Sequence, residues 1–188
     1  LEGGKNPEAA IRLAKAAGIK IVIIGPPYNT GTFWNEVCPY IDNESVFWVR
    51  GASDAQKQKI MSKAKCFISS NDYTWKEHAG IVNMEALAMG VPIIAFNRIN
   101  QECAIWTDQI IEDGVQGFFL NYAGTGRDDE IIEKGVPLIQ KIDQIDRAAC
   151  RRQFEKRFTA DLAARRYEWF YQAILANGAD VGFLNIPF

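Results

Sequence analysis

The 188-residue chain has one histidine, His78, and four scattered cysteines, Cys38, Cys66, Cys103 and Cys150. A single histidine cannot build a histidine metal centre, and the cysteines show no metal-ligand spacing, so no metal site is expected. Four cysteines so placed favour a reducing, cytoplasmic setting over a disulfide scaffold. Cys66 lies in an apolar segment and reads as a small core residue. No apolar run approaches the roughly 20 residues needed to span a bilayer, and no signal-peptide pattern is visible. An excess of either charge is missing too: 21 basic and 23 acidic residues leave a net charge of -2. That balance gives no electrostatic footprint for nucleic acid. What is present is 48% hydrophobic residues, enough for one globular domain with a real core. No repeat, low-complexity stretch or second domain is visible.

The elements follow a regular rhythm. Asn6-Pro7-Glu8 opens a helix, with Asn as the cap, Pro at the first position and an acid in the first turn. That helix carries Ala9, Ile11, Leu13 and Ala14 and stops at Gly18. Ile19 to Ile24 reads as a buried strand ending at Gly25-Pro26-Pro27. A weaker helix covers Thr32 to Val37, a second strand Ser45 to Val49, and Ser53-Asp54 opens a helix to Ala64. Cys66 to Ser69 is a third strand, followed by a loop from Ser70 to Ala79. A helix from Gly80 and a strand from Val91 to Phe96 come next. After the turn-rich Asp113-Gly114-Val115-Gln116-Gly117, a short strand Phe118 to Leu120 precedes helices near Asp129 to Ile142 and Arg147 to Leu175. These last helices are expected to pack through Phe154, Phe158, Leu162, Trp169 and Phe170. Strands alternating with helices predict an α/β fold: a Rossmann-like parallel sheet with helices on both faces and a helical C-terminus. Ligands of such sheets bind beyond the carboxyl ends of the strands, where the Glu77 loop, Gly51 to Asp54 and Asn97 to Glu102 should gather.

One segment carries chemistry. In the stretch from Glu77 to Gly90, two carboxylates stand eight positions apart, Glu77 and Glu85, with Gly80 between them. Val82, Met84, Ala86, Leu87 and Ala88 leave little polar surface around Glu85, and a carboxylate in that company needs a partner. The free N–H groups and dipole of a helix starting at Gly80 favour an anion such as phosphate. Phosphate beside two carboxylates suits a ligand with hydroxyls at one end, such as a nucleotide sugar.

In this strand-loop-helix-strand context the chain resembles the C-terminal, donor-binding half of family 4 glycosyltransferases, the retaining enzymes of the GT-B fold. The resemblance runs from about Lys5 to about Leu175. It rests on the Glu-x7-Glu spacing of Glu77 and Glu85, on Glu85-Ala86-Leu87-Ala88-Met89-Gly90-Val91-Pro92, on Lys5-Asn6-Pro7-Glu8 and on Glu112-Asp113-Gly114-Val115-Gln116-Gly117. It implies that Glu85 accepts hydrogen bonds from the ribose, and that Glu77 meets the donor sugar near the reacting carbon. The backbone at Gly80, Ile81 and Val82 would face the diphosphate. Lys5 matches the lysine that neutralises the departing diphosphate, and Asp54 and Lys57 match positions bordering the base. The lysine's partner arginine and the first strand of the sheet are expected upstream of Leu1. Ala79 and Ile99-Asn100-Gln101-Glu102 depart from the family pattern, the latter replacing a glycine-rich loop.

Simpler readings stand beside these. Lys5 alone reads as a surface lysine, Glu77 as a loop acid, Asp54 as a cap or first-turn acid, and His78 as a pocket-lining residue. Arg151, Arg152, Lys156, Arg157, Arg165 and Arg166 read as a solvated helix face balanced by Glu155, Asp161 and Glu168. The expectation is therefore a nucleotide-sugar binding domain over residues 1–177 with a tail at 178–188. It would belong to a cytoplasmic hexosyltransferase that needs neither metal nor other cofactor. The N-terminal acceptor domain would be its partner and its means of any peripheral membrane contact. The alternatives are a sugar-nucleotide epimerase or a non-catalytic nucleotide-sugar binding module.

Overall fold

The computed structural model describes residues 3–27, 30–71, 80–99, 109–126 and 129–177. A 3-10 turn, Gly3–Lys5, leads into helix α1, Pro7–Ala16, which buries Ala9, Ala10, Ile11, Leu13 and Ala14 on one side. Asn6 is not the expected cap. It adopts a left-handed conformation (φ 48°), is fully buried, and its side-chain amide donates to the Gly126 carbonyl at 2.7 Å. The polar side chain that could have capped α1 instead ties its start to a turn 120 residues away.

Strand β1, Ile21–Ile24, is shorter than its apolar run, because Gly18 turns the chain at positive φ before it. A single α-turn (α2, Thr30–Thr32) runs into a π-helical stretch, Phe33–Val37, and then β2, Val46–Val49. Helix α3, Asp54–Met61, is opened by a reciprocal capping box between Ser53 and Gln56, so Asp54 is a first-turn acid and Ser53 the cap. Strand β3, Phe67–Ser69, helix α4, Ile81–Ala88, strand β4, Ile93–Arg98, and strand β5, Gly117–Tyr122, follow. The helical end comprises α5, Glu130–Lys141, α6, Arg147–Arg157, and α7, Ala160–Asn177. The single long helix expected from Arg147 onward is thus broken at Phe158-Thr159, where the Thr159 hydroxyl accepts from Leu162 N–H. The expected tail lies outside the described residues.

All strand pairing is parallel, as the alternation of elements requires, but it falls into two sheets, β1–β2 and β3–β4–β5. The larger core surrounds β4, whose Ile93, Ile94, Ala95 and Phe96 are fully or almost fully buried against Leu87, Leu120, Ile131 and Ile139. A smaller core of Ile11, Ile23, Phe33, Val37 and Val46 backs β1 and β2. Two corrections concern burial. Val22 in β1, expected in a buried strand, is 40% exposed, and Phe170, expected to pack, is on the outer surface of α7. Phe154 and Phe158 do pack on the larger core, as expected. The basic face is paired partly as anticipated, Arg151 with Glu155 and Arg165 with Asp161, while Arg152 pairs with Asp146, which the sequence did not suggest.

Burial moves the thiols. Desolvation pushes both Cys66 and Cys150 up to about 11, so neither is an available thiolate near neutral pH.

Close approach explains one glycine. A Cβ on Gly117 would sit 1.9 Å from the Ile93 carbonyl oxygen of β4, whereas one on Gly51 would meet nothing within 4 Å. Gly117→Ala should therefore force β5 away from β4 and cost roughly 3 kcal/mol or more, at or beyond the upper range for overpacking. Gly51→Ala should stay within about 0.5 kcal/mol, as surface changes do. Urea unfolding of the two variants checks this, and a loss below about 1 kcal/mol for Gly117→Ala contradicts the packing described.

Candidate functional site at the carboxyl edge

A cleft of about 850 Å³ opens between the two sheets, and four of the sequence-predicted residues, Lys5, Lys57, Gly80 and Val82, line it. Ser70 and Asn71 line it with them, and Lys57 reaches in from α3. The Ser70 hydroxyl donates to the Lys5 carbonyl at 2.8 Å, which pins the turn before α1 to the end of β3. Glu85 lies one turn inside α4, and Lys57 Nζ donates to its Oε1 at 2.7 Å. Asp54 touches the same ammonium at 3.4 Å. The partner that the apolar surroundings of Glu85 demanded is Lys57, a contact that spacing 28 residues apart did not reveal.

Gly80 takes a left-handed conformation (φ 50°), and Asn83 N–H donates to its carbonyl at 2.7 Å. The buried Asn83 side chain lies directly behind it: a Cβ at Gly80 would come within 2.7 Å of Asn83 Nδ2. The sequence reading overlooked Asn83; a polar residue three positions after a helix-opening glycine was the available signal. With Gly80 held this way, the first N–H groups of α4 stand at the cleft and form an anion-favouring terminus. Ile81 is 67% exposed and is not among the residues lining the cleft.

Placement of the predicted residues is therefore uneven. Lys5, Lys57, Gly80 and Val82 share the cleft. Glu85 joins through Lys57, and Asp54, largely exposed, stands outside as a neighbour of that lysine. Glu77, His78 and Ala79 lie outside the described residues, as do Asn100, Gln101 and Glu102. Among the described residues no cluster of three or more His, Cys, Asp or Glu is arranged to hold a metal. No described helix is long and apolar enough to cross a membrane.

Two half-sheets of parallel strands, with a helix N-terminus and a paired carboxylate at their carboxyl edge, define a Rossmann-like domain. The family model for glycosyl transferases group 1 matches residues 1–123. The chain belongs to that family, and its fold is that of a GT-B glycosyltransferase domain. It is similar to AviGT4, a glycosyltransferase involved in avilamycin A biosynthesis (TM-score 0.71, 18% identity), covering 94% of this chain and 50% of that one. It is also similar to the pneumococcal O-GlcNAc transferase GtfA in complex with UDP and GlcNAc (TM-score 0.63, 18% identity, 90% and 32% covered). A third is Anabaena HepE in complex with UDP-glucose (TM-score 0.52, 17% identity, 83% and 45% covered). The chain thus spans about half or less of the length of these proteins. No curated protein matches the sequence.

The Lys57–Glu85 pair makes the first test of the site. The Glu85 carboxylate, by accepting its hydrogen bond, holds the Lys57 ammonium above its ordinary value. A raised lysine contributes stability that is fully present below its unfolded-state value and is lost as pH rises through the folded one. With both side chains about 70% buried, a double-mutant cycle of Lys57→Met and Glu85→Gln should give a coupling of roughly 1 kcal/mol at pH 7. The coupling should fade as pH rises through the raised Lys57 value. A coupling near zero at pH 7 argues against the pair.

Proposed function

We propose that this domain binds the nucleotide-sugar donor of a retaining hexosyltransferase, which moves the sugar to an acceptor hydroxyl with the anomeric configuration kept. The observation that carries the reading is the convergence of Lys5, Lys57–Glu85 and the α4 N-terminus at one end of the cleft. Phosphate suits the terminus and the ammonium groups, and vicinal hydroxyls suit a carboxylate. In this reading Glu85 takes the ribose, Glu77 the donor sugar, and the N–H groups from Gly80 to Val82 the diphosphate. Lys57 hands part of its hydrogen bond on Glu85 over to the ribose, while Asp54 borders the base.

The chemistry asked of these residues is electrostatic. As the bond from the anomeric carbon to the diphosphate breaks, negative charge grows on the leaving oxygens. A fixed dipole and the Lys5 ammonium offset that charge without reorganising. The acceptor, a second wall and the exclusion of water belong to an N-terminal domain, and the complete enzyme is assigned to the cytoplasm.

UDP is the first nucleotide to test, because two of the similar proteins are described as complexes with UDP or UDP-glucose. Calorimetry with UDP, GDP and ADP sugars should show binding of one class. Glu85→Ala should weaken it by about 1.5–3 kcal/mol, the range for hydrogen bonds to a charged group. Unchanged affinity in that variant sinks the ribose assignment. Binding without any transfer by a complete enzyme would favour a non-catalytic binding module.

Turnover separates the second carboxylate. In a complete enzyme Glu77→Ala should depress sugar transfer far more than affinity for the bare nucleoside diphosphate. Equal loss of both would assign Glu77 to loop structure. Residues 1–188 alone should bind donor and transfer nothing, so sugar transfer by this polypeptide with purified donor and acceptor would refute the reading.

A further inference from the structure

The residue after Lys5 is held against its own local preferences. Asn6 sits in the left-handed region (φ 48°, ψ 52°), which residues other than glycine seldom occupy. Pro7 follows, and its ring steers a preceding residue towards extended backbone instead. The turn also forfeits a cap. An asparagine ahead of Pro7-Glu8 would ordinarily accept from the first N–H groups of α1, but no such bond forms. The buried Asn6 Oδ1 has no hydrogen-bond partner among the described residues. Backbone strain and an unsatisfied acceptor thus fall together on one fully buried residue, beside a lysine that lines the cleft.

What holds Asn6 there is tertiary. Its Nδ2 donates to the Gly126 carbonyl at 2.7 Å, in the turn that follows β5. That turn is itself closely set: Gly126 is at positive φ (78°), and a Cβ on it would come within 3.0 Å of the hydroxyl of Tyr122, the buried last residue of β5. One residue before Asn6, the Lys5 carbonyl accepts from the hydroxyl of Ser70, a buried residue directly after β3. The two anchors flank β4, with which both β3 and β5 pair. The turn that carries Lys5 is therefore registered to the three-stranded sheet, the sheet whose β3 and β4 are joined through α4. A left-handed residue between the 3-10 turn and α1 lets Lys5 end one helical turn and Pro7 begin the next.

We propose that Asn6 is a positioning residue for Lys5: its left-handed backbone, locked by the amide bond to Gly126, fixes where the Lys5 ammonium stands relative to the N-terminus of α4. The two positive groups assigned to the diphosphate are then referenced to one rigid sheet. Asparagine suits the task because its short amide tolerates the left-handed region and still carries a donor. Glycine would take the same conformation without the tether, and alanine would supply neither. Ser70 is the second half of the clamp and acts on the Lys5 carbonyl. The role rests on the reading of Lys5 as the counter-charge of the diphosphate, and it gives Asn6 no contact with the ligand.

The test is the affinity of the 188-residue chain for inorganic pyrophosphate, measured by calorimetry. Pyrophosphate carries the diphosphate charge with neither base nor sugar, so the result is independent of which nucleotide the site takes. Lys5→Met should weaken binding by about 10-fold or more, the loss of a charge-assisted hydrogen bond. Asn6→Gly, which keeps the backbone conformation without strain, should weaken it by about 3–10-fold, and Asn6→Ala by more. In the Lys5→Met background, Asn6→Gly should add less than about 2-fold, because the ammonium it positions is gone. An asparagine that serves only the fold gives the same loss in both backgrounds. That additivity, or unchanged affinity in Asn6→Gly, overturns the positioning role and leaves the reading of Lys5 standing. Unchanged affinity in Lys5→Met, or no saturable binding by the unaltered chain, overturns the reading of Lys5 and this role with it. Urea midpoints show which variants are folded. If Asn6→Gly is not, Ser70→Ala carries the same comparison: a loss that vanishes in the Lys5→Met background supports the clamp, and an additive loss or none overturns it.

Discussion

Parallel pairing of β4 between β3 and β5 is the constraint on which the rest of the molecule depends. Every residue from Ile93 to Phe96 is buried, so the strand must satisfy its backbone within the ladder and accept close-packed helices on its faces. The helices are drawn in tightly. Gly135 of α5 lies so near Leu13 and Leu120 that a Cβ there would come within 2.6–2.7 Å of their methyl groups. Gly90, at positive φ, lets the chain leave α4 against the Arg147 backbone and enter β4 within a few residues. Because α4 is short and locked between β3 and β4, its N-terminus is delivered to the carboxyl edge of the sheet.

That delivery is what makes a site from residues of ordinary type. The glutamate at position 85 stands one turn behind a helix N-terminus and meets the ammonium that reaches it from α3, and the ligand role proposed for it rests on that placement. Lys57 arrives because Ser53 and Gln56 cap α3 and fix its first turn. The pair is about 70% buried, which holds the carboxylate in one orientation while still leaving an oxygen for a ligand. Lys5 is positioned by a different route, through its carbonyl and Ser70, so the ammonium side of the cleft is tied to β3 and the carboxylate side to α4.

The lining of the cleft changes character along its length. At the carboxyl edge the lining is polar and basic, suited to a ligand that stays hydrated on one side. Along β1 and β3 it is apolar with open backbone edges, a surface that costs free energy when left to water.

Much of this was legible in the residues. The alternation of apolar runs with capped helices was enough for a parallel α/β fold, and Pro7, Gly18 and Ser53 mark helix ends through local chemistry that acts within a few residues. The spacing of Glu77, Gly80 and Glu85 pointed to a candidate site by the same kind of local reasoning, and of the three the described residues include Gly80 and Glu85. Contacts between distant segments were not legible. Asn6 had a good cap signature and spends its side chain on Gly126 instead, because a buried amide is stabilised by whichever carbonyl the tertiary packing brings. Lys57 finding Glu85, Asn83 backing Gly80, and the splitting of the strands into two sheets with Val22 at an open edge all depend on where separate elements come to rest. Sequence alone determined the kinds of element and the residues able to do chemistry, through short-range propensity and periodicity. Only the tertiary structure decided which of them meet, because pairing and burial are properties of the packed whole.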